Sequence, residues 1–213
     1  MLFVDRKDAG QKLCSLLLQF KNRKDTLVIG LPRGGVVVAN EVASLLNLPL
    51  DVICPRKVGC PFNPELALGA VTHSGEGFLN QDIISQLDIS EEFLKNAIQE
   101  ERARSQERYT LYRKGKKELS VEGKTVLLID DGLATGATMK AAIEWTKGEK
   151  AKAVVVAVPV GPPTTLDKLR HTADAVFSVS TPSFFQAVGQ FYQNFEQITD
   201  EEVLRILQST SSP

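Results

Sequence analysis

The sequence is poor in the residues that usually hold metals or crosslinks. Only three cysteines (Cys14, Cys54, Cys60) and two histidines (His73, His171) occur among 213 residues. No cysteines are spaced as CxxC, and no cysteine–histidine spacing matches a zinc ligand set. That excludes a disulfide framework and a structural zinc site, and the thiols read as reduced cysteines of a cytoplasmic protein. Long apolar runs are missing too: the longest, 153-AVVVAVPVG-161, is far below a membrane span. The opening MLFVDRKDAG is too charged for a secretory signal. Nor is there an excess of either charge. With 25 Lys and Arg against 26 Asp and Glu, the formal net charge is −1, which offers no field to nucleic acid or to an anionic membrane. A GxxxxGK[ST] loop, an internal repeat and a low-complexity linker are likewise absent.

What remains is an ordinary globular composition, 43% hydrophobic and 24% charged. The length suits a single domain, 1–213, with a core over about 1–180 and a helical cap over about 181–208. Ala9, Leu13, Leu16, Leu17 and Phe20 predict an amphipathic helix over 6–20. Short apolar runs at 26–31, 50–54, 66–71, 124–130, 151–160 and 173–180 predict strands. Helices are expected between them at 35–47, 90–116, 138–147 and 163–170. The segment 90–116 opens at Ser90 with Glu91 and Glu92 in its first turn, as a capped helix should. Ser183 with Gln186, and Thr199 with Glu202, have capping-box spacing and predict helices over 184–195 and 200–208. The tail STSSP reads as disordered. Strands alternating with helices argue for an α/β fold: a central, mostly parallel sheet with helices on both faces, a helical insertion near 90–116 and a C-terminal helical cap.

The stretch 126-VLLIDDGLATGATMKAAI-143 carries the chemistry. Its strand ends in Asp130-Asp131, and ligands of open α/β sheets bind beyond the carboxyl ends of strands. Gly132, Ala134, Gly136 and Ala137 leave the following backbone bare, so its N–H groups can point at an anion. The helix N-terminus adds about half a positive charge. Thr135 and Thr138 bring hydroxyl donors. Two carboxylates beside a phosphate would repel it unless something lies between them. Two neighbouring sugar hydroxyls would fit, donating to the aspartates while a phosphate on the same sugar sits in the loop. The ligand so described is a ribose 5-phosphate unit. Taken alone, an Asp-Asp pair is more often a solvated strand end; the ordered whole is not.

The stretch 126-VLLIDDGLATGAT-138 resembles the phosphoribosyl-diphosphate signature of type I phosphoribosyltransferases. The resemblance covers roughly residues 1–180. Together with Pro32-Arg33, 62-FNPELALGAV-71 and 184-FFQAVGQFYQNF-195, it is similar to a bacterial branch of predicted phosphoribosyltransferases. It implies that Asp130 and Asp131 hold the ribose 2′ and 3′ hydroxyls, and that Ala134, Thr135, Gly136, Ala137 and Thr138 hold the 5′-phosphate. It implies that Arg33, Gly34 and Gly35, in 31-LPRGG-35, bind the pyrophosphate; the bare alternative is a strand-to-helix turn. Strand 50–54 ends in Pro55-Arg56-Lys57, and 58-VGCPFNPEL-66 reads as a mobile loop. Two cations on its stem suit a pyrophosphate leaving group; the bare alternative is a solvated basic turn. Mg²⁺ is the implied cofactor, bound mainly through substrate oxygens.

One departure concerns the base. Many purine members place an aspartate where this chain has Ala134; some adenine-using members instead use a glutamate on the returning arm of the flexible loop, and Glu65 lies in a comparable place. Its other reading is a surface residue at a strand start. Phe184 and Phe185 could stack on a flat acceptor, whereas Val188, Phe191, Tyr192 and Phe195 repeat like core. Arg102, Arg104, Arg108 and Arg113 fit either a solvated face or the contact of a homodimer. The implied activity transfers a phosphoribosyl group to a small-molecule nitrogen acceptor. The alternative is a phosphoribosyl-diphosphate sensor without turnover.

Overall fold

The computed structural model describes residues 2–75, 77–117 and 119–209, without the side chains of Pro64 and Glu65. Five parallel strands form the central sheet: β1 (Thr26–Gly30), β2 (Leu50–Val52), β6 (Thr125–Ile129), β7 (Ala153–Val160) and β8 (Ala175–Ser180), in the order β2-β1-β6-β7-β8. Their runs are mostly apolar because both faces are covered; Asp51 in β2 is the buried charge among them. Val28, Leu127, Ile129, Val155 and Ala157 pack against α1 (Arg6–Cys14), α2 (Gly34–Leu46) and α7 (Asp200–Ser209). Leu27, Ile29, Val126, Leu128, Val154 and Val156 pack on the other face, against α5 (Ala137–Gly148) and α6 (Pro163–Arg170). The expected α/β architecture is therefore the observed one.

Between β2 and β6 lies a second layer. β3 (Arg56–Cys60), β4 (Asn63–Val71) and β5 (Gly77–Leu79) form an antiparallel sheet. It packs through Val58, Leu68 and Val71 on α3 (Gln81–Gln86) and α4 (Glu91–Tyr112). Ser90 caps α4, its hydroxyl accepting from the Phe93 N–H at 3.2 Å. α4 is fastened back to the central sheet at two places. Ser105 Oγ donates to the Cys54 carbonyl at 2.5 Å, and Arg113 donates two bonds to buried Asp51, at 2.9 and 3.0 Å.

Three expectations are corrected. The strand expected at 66–71 belongs to this second sheet, not the parallel one. The stretch 58–66, read as a loop with few anchors, is most of a hairpin: Arg56, Lys57 and Val58 pair with Val71, Ala70 and Gly69, and the ladder shifts register around Gly59. The helix expected at 184–195 is absent: apart from a short 3₁₀ turn at Val188–Phe191, that segment is extended or irregular. Its backbone is committed elsewhere. The Gln193 N–H donates to the Phe3 carbonyl at 2.8 Å and the Asn194 N–H to the Val4 carbonyl at 2.9 Å, while Phe3 N–H donates to Phe191. Burial of Phe191 and Tyr192 against Phe3 outweighs the helical spacing, and Gly189 already weakens a helix there by about 1 kcal/mol. The Thr199–Glu202 capping box does form, with 2.8 and 3.2 Å bonds, and starts α7.

Candidate active site

β1 and β6 are neighbours in register, Gly30 opposite Ile129, so the loops that follow them leave the same carboxyl edge side by side. The Leu31 N–H still bonds to the Ile129 carbonyl at 2.9 Å. Beyond that point Arg33, Gly34 and Gly35 lie directly on Asp130 and Asp131. A Cβ on Gly34 would stand 1.9 Å from Asp131 Oδ2, and one on Gly35 would stand 2.8 Å from Asp130 Cα. Only glycine permits that approach. The Pro32–Arg33 peptide is cis.

The two carboxylates differ in their surroundings. Asp130 Oδ1 accepts the Asp131 N–H at 2.8 Å. Lost hydration, first, and the Asp131 charge, second, push its carboxyl well above the usual carboxylate range. Asp131 is held by an arginine from α1: Arg6 Nε lies 2.7 Å from its Oδ2. Tyr192 Oη donates to the Asp131 carbonyl at 2.5 Å, and burial first raises that phenol's pKa.

The loop after the acid pair is anchored at its rim and open towards the helix. Leu133 N–H bonds to the Val160 carbonyl at 2.9 Å. Thr165 Oγ1 donates to the Ala134 carbonyl at 2.8 Å. Gly136, with φ +75°, is the N-cap of α5, and no side chain caps that helix. The Ala137 N–H makes only a long 3.5 Å bond, to Thr135 Oγ1, and the N–H groups that follow are left to a ligand or to water. Ala134 and Thr135 are exposed, Thr138 is half-buried, and Gly136 and Ala137 are buried. A cavity of about 600 Å³ adjoins the loop, with Phe78, Lys140, Lys168, Phe185 and Gln186 in its walls. Phe185 rests on Phe191, ring centroids 5.2 Å apart. Phe184 is exposed.

The cations near the glycine pair are already engaged. Arg33 Nη1 lies 3.8 Å from Asp200 of α7, and that carboxylate accepts from Tyr112 Oη at 2.5 Å. Arg56 Nε donates to Glu101 of α4 at 2.8 Å. Arg56 and Asp200 both line one cavity of about 260 Å³, which brings Arg56 and Arg33 to one neighbourhood. Lys57 follows on β3, opposite Ala70. The Glu65 side chain lies outside what the structure describes. Among the described residues no three His, Cys, Asp or Glu side chains gather into a metal-binding group. The acid pair offers a Mg²⁺ ion carboxylate oxygens only beside substrate oxygens, the donor set that suits an ion held mainly through its substrate.

Arg6, Thr165, Glu101 and Asp200 were not singled out from sequence, and Tyr192 was read there only as core. A signal existed for Arg6. It stands three residues before Ala9 on the stripe Ala9–Leu13–Leu17, so a charge was placed on the buried face of its helix.

Comparison with known proteins gives the family. The model of the phosphoribosyl transferase domain family matches residues 6–196. A Mycobacterium tuberculosis protein, named in two strains as a candidate phosphoribosyl transferase, is 42% identical over 206 residues. The alignment takes in 97% of this chain and 46% of the relative, so the chain spans about half the length of that protein. The crystal structure of TT1426 from Thermus thermophilus is 40% identical, covers 100% of both chains and superposes with a TM-score of 0.84. With a family match along nearly its whole length and a parallel sheet carrying the acid pair at its carboxyl edge, the chain belongs to the type I phosphoribosyltransferase family.

Proposed function

We propose that the protein transfers the 5-phosphoribosyl group of phosphoribosyl diphosphate to a nitrogen of a nucleobase, releasing pyrophosphate. One observation carries this reading: the Gly34-Gly35 backbone rests on Asp130-Asp131, beside an uncapped helix whose N-cap is Gly136. A ligand with a pyrophosphate, two hydroxyls and a second phosphate at those relative places spans all three.

In this reading Asp130 and Asp131 accept hydrogen bonds from the ribose 2′ and 3′ hydroxyls. N–H groups from Ala134 to Thr138 take the 5′-phosphate, with Thr135 and Thr138 adding hydroxyls. Arg33 and the N–H groups of Gly34 and Gly35 take the pyrophosphate. The C1–oxygen bond to pyrophosphate breaks and a C1–nitrogen bond forms, through an oxocarbenium-like transition state. Arg56 and Lys57 offset the charge that grows on the departing oxygen. The acceptor nitrogen loses its proton, for which Glu65 is the candidate base. Phe185 gives the acceptor a flat apolar wall. Mg²⁺, when bound, neutralises pyrophosphate and ribose oxygens. Closure over the ligand excludes water, which would otherwise compete for C1. A cytoplasmic homodimer is the proposed setting.

The test is a panel of nucleobases with labelled phosphoribosyl diphosphate and Mg²⁺. Nucleotide formed with at least one base supports transfer. Tight binding without conversion of any base would overturn it in favour of a sensor.

A further inference from the structure

We infer that Arg6 is a positioning residue of the phosphoribosyl site, the built-in counter-charge that holds Asp131 in place for the ribose; this rests on the function proposed above. Arg6 is 9% exposed and lies in the first turn of α1, far in sequence from the acid pair. Its guanidinium makes three contacts in three directions. Nε donates to Asp131 Oδ2 at 2.7 Å. Nη1 donates to the Glu196 carbonyl at 2.8 Å. The guanidinium carbon stands 3.9 Å above the Phe195 ring. A guanidinium fixed on an aromatic face and a carbonyl keeps little freedom, so the carboxylate it grips is fixed too.

The place of that grip matters. A Cβ on Gly34 would meet both Asp131 Oδ2, at 1.9 Å, and Arg6 Nε, at 2.6 Å. The Arg6–Asp131 pair is therefore the floor on which the glycine loop rests. It touches the candidate hydroxyl acceptor and the candidate pyrophosphate loop at once. It also answers how two adjacent carboxylates stand beside two phosphate sites: one cation sits among them before any ligand arrives. Nε occupies one side of Oδ2, and each carboxylate oxygen has a second lone pair. Asp131 can hold Arg6 and a sugar hydroxyl together.

A purely structural Arg6, tying α1 to the 195–196 segment, would alter stability alone. A positioning Arg6 acts on binding, and through Asp131. The test is calorimetry of phosphoribosyl diphosphate with Mg²⁺, and of ribose 5-phosphate, on the full chain and on Arg6→Met, Arg6→Lys, Asp131→Asn and Arg6→Met/Asp131→Asn, with thermal melts run beside it. Arg6→Met should weaken phosphoribosyl-diphosphate binding about 10- to 100-fold, the size of one charged hydrogen bond. Arg6→Lys keeps the charge but not the fork, and should fall between Met and the parent chain. Adding Arg6→Met to Asp131→Asn should cost less than about threefold more, because both act through one carboxylate. Parent-like affinity in a folded Arg6→Met or Arg6→Lys chain overturns the inference, as does a double variant whose losses simply multiply. Should Arg6→Met fail to fold, Arg6→Lys and its pairing with Asp131→Asn decide by the same criteria. If the parent chain binds neither ligand, the proposed function fails and takes this inference with it; if it binds both and Arg6 is indifferent, only this inference falls.

Discussion

Gly34 and Asp131 are so close that a single added methyl group would stand 1.9 Å from the carboxylate oxygen. Nothing in the site can move aside cheaply, since Arg6 Nε is 2.6 Å from the same point. Gly34→Ala should therefore force the loop off the acid pair. We expect about 1–3 kcal/mol of destabilisation, the usual cost of overpacking, and loss of phosphoribosyl-diphosphate binding. Thermal melts and calorimetry read the two effects. Parent-like affinity would mean that the loop and the acid pair do not serve one ligand.

The phosphate loop is tested independently. Gly136 has φ +75°, and a Cβ there would meet Thr165 Cγ2 at 2.8 Å. Gly136→Val adds a branched side chain in a conformation valine resists. Binding of ribose 5-phosphate, not only of the full substrate, should be lost. A mutant that still takes ribose 5-phosphate normally would place the cradle elsewhere.

Asp130 gives a pH signature. Its carboxyl is raised above 3.8 in the folded chain, by lost hydration first and by Asp131 second. The folded state then holds the proton more tightly than the unfolded one. Stability from this group is greatest below pH 3.8 and declines as pH climbs from there through the raised value. Asp130→Asn removes that decline and should raise the melting temperature of the ligand-free protein at neutral pH, while weakening its grip on ribose. A variant with a lower melting temperature at neutral pH would contradict this. A higher melting temperature would make the site an example of a function held at a cost in stability.

The buried pair Asp51–Arg113 should behave in the opposite way. Asp51 is fully buried, and Arg113 also donates to Tyr109 Oη and to the Lys117 carbonyl. Removing one partner strands the other charge, so Asp51→Asn or Arg113→Met should cost about 3–5 kcal/mol. Urea denaturation measures this. A loss below about 1 kcal/mol would mean that water reaches the pair freely.

Lys57→Ala separates turnover from affinity. A charge that acts on departing pyrophosphate helps the transition state more than the bound substrate. The turnover rate should fall about 10²–10³-fold, with a much smaller change in binding. Single-turnover kinetics showing equal losses in both would make Lys57 a substrate-gathering residue only.

The parallel sheet was legible because β1, β6 and β7 are almost wholly apolar and covered on both faces, leaving no polar alternation to confuse them. The acid pair and its loop were legible for a local reason: strand, carboxylates, cradle and helix follow one another without a gap. Residues that reach the site from afar were not. Arg6 and Tyr192 meet Asp131 across 125 and 61 positions, and no spacing rule links such partners. The 184–195 segment misled because its apolar positions repeat like a helix, while its backbone donors go to Phe3 and Val4, which lie almost the whole chain away. The hairpin at 56–71 misled because Gly59, Pro61 and Pro64 look like loop, although the ladder on either side tolerates them by shifting register.

The fastening of α4 has a mechanical consequence. Glu101, Ser105 and Arg113 recur along one helix at four- and eight-residue steps, over about 18 Å, and grip Arg56, Cys54 and Asp51 in turn. The helix acts as a splint bound across the joint at Pro55. Because α4 also packs on the second sheet, that sheet cannot swing about the joint without breaking the Ser105 and Arg113 bonds, or else parting Arg56 from Glu101. What freedom the clamp leaves lies at the free end of the hairpin beyond Gly59, where Phe62 stands 84% exposed at the turn, as the tip of a stiff blade bends while its root stays clamped.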